Sequence, residues 1–219
     1  MQKRTVKIGD YDTAQHGWTL NKCTLQDPAL KENYVEKSGG DGSWNLTTAT
    51  TGGIPRYKVR TLEIRLECSE GDRDHRENLI NELVNTYDGL EWPIVIPDRP
   101  EHYLTGQVHV GVEFSDLAHA AVTITATCEP WLYRAKESIV ELTAAESVRR
   151  AVIHNSGRRA VVPVLSVSGN IRIGFGVYTT QLTDGMYEWS PLLLTQGLNE
   201  LEYTGSGTLT LTYREAVLR

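Results

Sequence analysis

The sequence predicts a mainly β protein in two parts, an α+β domain over residues 1–132 and a β-sandwich over 133–219. Three observations carry this. Apolar and polar residues alternate with a period of two along much of the chain, one amphipathic helix interrupts them, and past the CEPWLYRAKES stretch only short strand signals remain. A length of 219 residues suits two domains of about a hundred residues each.

In the first part, Leu62, Ile64, Leu66 and Cys68 alternate with Glu63, Arg65 and Glu67, the pattern of a strand wet on one face. Val108, Val110, Val112 and Phe114 form a second such series. A third is Val122, Ile124, Ala126 and Cys128, with threonines between them. Asp116 to His119 then connects the last two as a hairpin. The helix lies in GDRDHRENLINELVNTYDGLEWP, where Leu79, Ile80, Leu83, Val84 and Tyr87 share one face. Asp72 or Asp74 caps its start, Gly89 stops it, and Pro93 follows. Packed on the dry face of a mostly antiparallel sheet, it completes an α+β unit.

In the second part, strand candidates run through IVEL, RRAVIHN, AVVPVLSVSG, NIRIGFGVYTT, YEWSPLLLT, NELEYTG and GTLTLTYREA. The signals NSG, SGN, TDG and TGSG read as the turns between them, and the absence of a helical period argues a sandwich. Pro163 and Pro191 belong on edges or bulges, because proline cannot donate to a ladder. The GFG of 174–176 reads as a bulge or a place of close packing.

Composition excludes several classes. The formal charge of −6, with no segregated Lys/Arg surface, argues against a held nucleic acid. The amino-terminal MQKRTVKIGDYD is followed by no apolar run of a secretory signal, and no window is apolar enough for a membrane helix. The three cysteines, Cys23, Cys68 and Cys128, have neither CxxC nor metal-ligand spacing and read as reduced thiols. No cofactor or metal is expected. Asp10, Asp12 and His16, or Asp98, Glu101 and His102, are the best acid-base sets available, and neither accompanies a nucleophile motif. They read as turn formers on a protein that is not an enzyme.

The segment GGDGSWNLTTATTGGIPRYKVRTL, residues 39–62, is too rich in glycine and threonine for a core element. Loops of this length are uncommon in compact domains unless they serve a function. The order of DTAQHGW, this loop, Tyr57 and Arg60 entering RTLEIRLEC, NTYDG, the YLTGQV turn and CEPWLY resembles the distal tail (Dit-like) proteins of long-tailed phages and prophages of Gram-positive bacteria. The family pattern matches Gly39, Asp41, Gly42, Leu46 and Thr47, with Ser38 where proline is common and Asn45 where aspartate is common. NSGRRAVVPVLSVSGNIRI and LTQGLNELEYTGSGTLTLTYREAVLR resemble the family's galectin-like sandwich, so the resemblance covers essentially the whole chain.

The resemblance implies a split-barrel-like first domain with a long protruding hairpin, and a hexameric ring at the tail tip of the virion. It implies assembly in the host bacterial cytoplasm and contact with tail-tube, tail-tip hub (tail-associated lysin type), tape-measure and receptor-binding or baseplate proteins. If Asn33 to Lys37 pairs with Val59 to Cys68, the glycine-bearing segment is the tip of that hairpin. Tyr34, Trp44, Asn45, Leu46, Arg56, Tyr57 and Arg60 are then the residues expected against a neighbouring copy. The bland alternative is a mobile loop with Trp44 folded back, and Arg56, Lys58 and Arg60 as a solvated face. A further alternative is a carbohydrate-binding sandwich, with Tyr187 or Trp189 stacked on a sugar and Arg172 and Glu188 on its hydroxyls; Trp189 as core is the competing view.

Overall fold

The computed structural model describes residues 4–115 and 118–219. The chain divides into two compact units, Met1–Pro130 and Trp131–Arg219.

The first unit begins with β1 (Lys7–Ile8) and β2 (Tyr11–Asp12), a hairpin whose loop opens on Gly9 at φ +57. β3 (Thr19–Leu25) follows. Next come β4 (Tyr34–Glu36) and β5 (Ser43–Asn45), which pair only with each other. β6 (Arg60–Cys68), the helix α1 (Arg73–Tyr87), β7 (Glu91–Val95), β8 (His102–Ser115) and β9 (Ala120–Cys128) complete the unit. The antiparallel sheet has the order β2-β1-β7-β8-β9-β6-β3. β6 sits between β3 and β9, paired with β9 from Arg60–Cys128 to Cys68–Ala120.

The two-residue period places Leu62, Ile64, Leu66 and Cys68 beside Val122, Ile124, Ala126 and Cys128 on the dry face, all buried. Leu79, Ile80, Leu83 and Tyr87 of α1 are buried too, and the helix lies on β8 and β9. Each such aliphatic side chain contributes about 1.5–3 kcal/mol when withdrawn from water. Asp72 is the N-cap, accepting from His75 N at 2.8 Å. At the other end Gly89 turns the chain with φ +76. There the Asp88 carboxylate accepts from Val110 N at 2.8 Å and meets His109 Nδ1 at 2.9 Å, tying the helix end to β8.

Several sequence expectations need correction. YLTGQV is no turn: it lies within β8, and Gly106 stands there because a Cβ would come within 2.6 Å of Cys128 Sγ. Pro93 does lie beyond the helix stop, as expected, within β7 opposite Thr105. Val112 is exposed where the β8–β9 ladder slips between Val112 and Phe114. Residues 116 and 117 of the expected hairpin connection lie outside the described residues.

The second unit contains β10 (Leu132–Arg134), β11 (Ser138–Thr143), β12 (Arg149–Asn155), β13 (Val164–Phe175), β14 (Tyr178–Leu182), β15 (Gly185–Glu188), β16 (Gly197–Tyr213) and β17 (Ala216–Val217). SGN and TGSG, read as turns, are interior to the long strands β13 and β16. They face each other: Gly169 pairs with Gly207, Asn170 with Ser206, and Ile171 with Gly205. These three glycines have φ of +107, +113 and +127, and an added Cβ would meet facing carbonyl oxygens at 1.8–2.2 Å. The two strands bend together there without losing register.

On one side of the joint β16 and β13 carry β12 and β14; on the other they carry β11 and β15. Ile153, Ile171, Ile173, Leu182, Leu201 and Tyr203 from one half share a single buried cluster with Leu165, Val167, Leu209, Leu211 and Tyr213 from the other. A continuous ladder has folded over into two layers. The YEWSPLLLT stretch is only partly a strand, ending at Glu188, and Pro163 and Pro191 both lie outside strands. GFG is neither bulge nor tight packing; Gly176, at φ +60, opens the two-residue loop between β13 and β14.

Candidate functional site

The arm grows from the β3–β6 ladder. Past Leu25 the two chains stay together through Gln26 N to Thr61 O at 3.0 Å, Lys58 N to Ala29 O at 2.8 Å and Lys31 N to Arg56 O at 2.8 Å, with Leu30 opposite Tyr57. Hence the partner of the returning chain is 19–31, and the expected pairing of Asn33–Lys37 with Val59–Cys68 is wrong. Asn33–Lys37 instead closes a hairpin of its own. Tyr34 pairs with Asn45, Val35 with Trp44 and Glu36 with Ser43, around a turn that needs Gly39 at φ +73 and Gly42 at φ +78.

Local polar contacts hold the tip. Leu46 N donates to Asn33 O at 2.8 Å, Asn33 N to Thr47 Oγ1 at 3.1 Å, and Thr47 N to Asn45 Oδ1 at 3.0 Å. The last of these is the turn chemistry that makes asparagine acceptable where aspartate is common.

Every residue from 29 to 46 is exposed, so the arm projects and does not fold back on its own unit. Because Val35 and Trp44 are opposite one another, they share a face, to which Leu46 adds by the period of two. Trp44 is 60% exposed, Val35 46% and Leu46 38%, and Lys37 Nζ lies 5.0 Å from the Trp44 ring. Tyr34, at 56%, occupies the opposite face with Asn45. The result is a two-stranded ribbon with apolar side chains in water and outer edges unpaired among the described residues.

The sequence-predicted residues divide. Tyr34, Trp44, Asn45 and Leu46 lie on the ribbon, Arg56 and Tyr57 at its base with Arg56 exposed and Tyr57 half-buried. Arg60 is not part of the arm surface: only 4% exposed, it stands at the first rung of β6 opposite Cys128. Burial lowers its pKa, only partly offset by the neighbouring Cys128 and Asp27. Sequence reasoning overlooked Val35, Lys37 and Val59. The period-two alternation of NYVEK contained the signal for Val35, but its pairing with SWN is a long-range fact.

The four residues considered for sugar do not gather. Arg172 pairs with Gln181 and Thr204 in one half of the folded sheet, while Glu188 and Tyr187 pair with Val164 and Leu165 in the other. Tyr187 and Trp189 pack against the core cluster. In the acid-base sets, Asp12, His16 and Asp98 are engaged in local contacts. Asp12 accepts from Thr5 Oγ1 and Ala14 N and faces Lys7 Nζ at 3.3 Å; burial raises its pKa, but these contacts outweigh it and the net shift is downward. His16 stacks on Tyr11, and Asp98 pairs with Arg4. No group of three or more metal-ligating side chains occurs among the described residues.

The fold has a solved counterpart. The crystal structure of the Dit protein (gp 19.1) of phage SPP1, described as a paradigm of the hub adsorption apparatus in phages infecting Gram-positive bacteria, aligns with TM-score 0.71 at 15% identity. The alignment covers 97% of this chain and 99% of that one. This chain has the Dit fold. Chains of the phage P2 baseplate in its activated conformation, with Ca and with Sr, align at 9% identity and TM-scores of 0.45 and 0.43. They cover 98% and 96% of this chain and 98% of theirs, a similarity too low to add to the Dit-fold assignment. No protein-family model matches the sequence. No curated protein matches it either.

Proposed function

We propose that this chain is a structural, non-catalytic adaptor of a phage tail tip, a virion component assembled in the host bacterial cytoplasm. Copies join head to tail through the arm and close into a hexameric ring. One ring face meets the tail-tube protein and the other the tail-tip hub, with tape-measure and receptor-binding or baseplate proteins as further neighbours. The Dit fold supports the role, and one observation carries the mode of assembly. The β4–β5 ribbon holds Val35, Trp44 and Leu46 in water and offers backbone edges without partners among the described residues. A second copy supplies ladder hydrogen bonds to such an edge and a covered surface for the apolar side chains. Repetition of one heterologous contact gives a ring when the rotation closes.

Light scattering coupled to size-exclusion chromatography tests this. The parent chain is expected at six times the monomer mass, and Val35→Ala with Trp44→Ala is expected to give folded monomer. An unchanged mass in that double variant would refute the arm as the joining element.

A further inference from the structure

The second unit carries a cleft of its own. It opens on the outer face of the half-sheet β12–β16–β13–β14, has a volume of about 170 Å³, and is walled by Arg172, Thr179, Glu202, Thr204 and Val148 around Gly174. Glycine weakens a strand, and inside one it marks a bulge, a bend or a close approach. Gly174 has none of these causes within the chain. The register runs unbroken past it against β14, from Ile171 to Phe175, and reaches it without a shift against β16, where Gly174 opposite Glu202 is the last rung. It is not among the glycines with positive φ, and an added Cβ would find Thr179 Cγ2 at 3.5 Å, Glu202 Cβ at 3.7 Å and Glu202 Oε2 at 3.9 Å, ordinary contacts. A side chain would fit there, and what its absence leaves is space.

The walls of that space are chemically asymmetric. Arg150 holds Glu202 Oε1 through Nε at 2.9 Å and Nη2 at 2.8 Å, which fixes the carboxylate and leaves Oε2 beside the gap. The guanidinium of Arg172, one strand over, makes no hydrogen bond or ion pair with any described residue. An anion drawn to Arg172 meets Glu202, and a cation drawn to Glu202 meets two guanidiniums. A neutral ligand with adjacent hydroxyls satisfies both walls, because each hydroxyl can donate to the carboxylate and accept from the guanidinium. The volume is below that of drug-sized pockets and suits one small ring. Val148, 65% exposed, offers aliphatic surface to its C–H face.

We propose that this cleft binds a single pyranose unit of a neutral saccharide, with Arg172 and Glu202 Oε2 as the discriminating groups. Of the four residues first considered for sugar the site keeps only Arg172, without Tyr187, Glu188 or Trp189, and it does not depend on ring formation.

Amide chemical shifts of the ¹⁵N-labelled full chain, titrated with millimolar methyl glycosides of glucose, galactose and N-acetylglucosamine and separately with glucuronate, test it. At least one neutral glycoside is expected to shift residues 172–174, 179 and 202–204 saturably. Gly174→Val, which fills the gap, abolishes the effect, and Arg172→Met and Glu202→Gln each weaken it by about tenfold. If Gly174→Val disturbs the spectrum of the unbound protein beyond its neighbours, the loss must appear with Gly174→Ser. Absence of a saturable shift with every neutral glycoside, tighter binding of glucuronate, or binding retained when the gap is filled would overturn the proposal.

Discussion

Gly207→Ala strikes the joint at which the second unit folds over. Gly207 has φ +113, and a Cβ there would lie 1.8 Å from Ser168 O and 2.8 Å from Ser168 C. The positive φ alone costs an L residue on the order of 1–3 kcal/mol. The atom in the way is backbone of the facing strand, so relief requires β13 and β16 to part, forfeiting ladder hydrogen bonds at about 1 kcal/mol each. Loss of about 3–5 kcal/mol is expected, a large share of the 5–15 typical of a domain. Even at the lower figure, the melting midpoint of a unit this small falls by roughly 12–24 °C. Gly174→Ala, on the same strand pair, provides the contrast. With ordinary φ and no contact nearer than 3.5 Å, it should stabilise by about 0.5–1 kcal/mol. Differential scanning calorimetry of the two variants beside the parent resolves both signs. A Gly207→Ala midpoint within a few degrees of the parent would refute the claim that glycine geometry makes the joint.

Asp72→Ala removes the N-cap acceptor of His75 N and should cost about 1 kcal/mol in urea unfolding of the first unit. Glu215 is raised by burial but more strongly lowered by Ser156 Oγ, Ser156 N and the Arg134 guanidinium, so its folded pKa lies below the ordinary 4.5. Its stabilisation is therefore complete above about pH 4.5 and disappears as pH falls through the depressed value. An acid melting series of Glu215→Gln should start lower at neutral pH and show a flatter acid limb. Burial pushes the Cys128 thiol up to about 12 and Cys23 to about 11, so at pH 8 neither should alkylate appreciably with iodoacetamide until denaturant is added, as read by mass spectrometry.

The sequence made local structure legible wherever a period extended over several residues. Leu62 to Cys68, Val122 to Cys128 and the face from Leu79 to Tyr87 all lie where the alternation or the helical spacing puts them. It failed where glycine had two meanings. Gly169, Gly205 and Gly207 look like turn residues in SGN and TGSG, and only their mutual pairing in space makes them a bend in continuous strands. Gly106 likewise looks like turn chemistry until Cys128 is seen across the ladder. The arm was legible from its composition as a long loop and, through the family resemblance, as a projection, but its register was not. Nothing local says that Val35 meets Trp44, or that Tyr57 meets Leu30 and not a residue of 33–37. Short β1, β2 and the proline-bearing β7 carried too little pattern to be read at all.

The arm leaves the sheet after Gln26 and returns at Thr61, two positions bonded to each other. Topologically it is an insert between adjoining rungs, and its own hairpin is built from contacts within its own span. Exchanging or resizing it alters the closure entropy only logarithmically and leaves the β3–β6 alignment intact. Under the proposed assembly, recognition between copies can thus drift, or be engineered by grafting, without renegotiating the scaffold beneath.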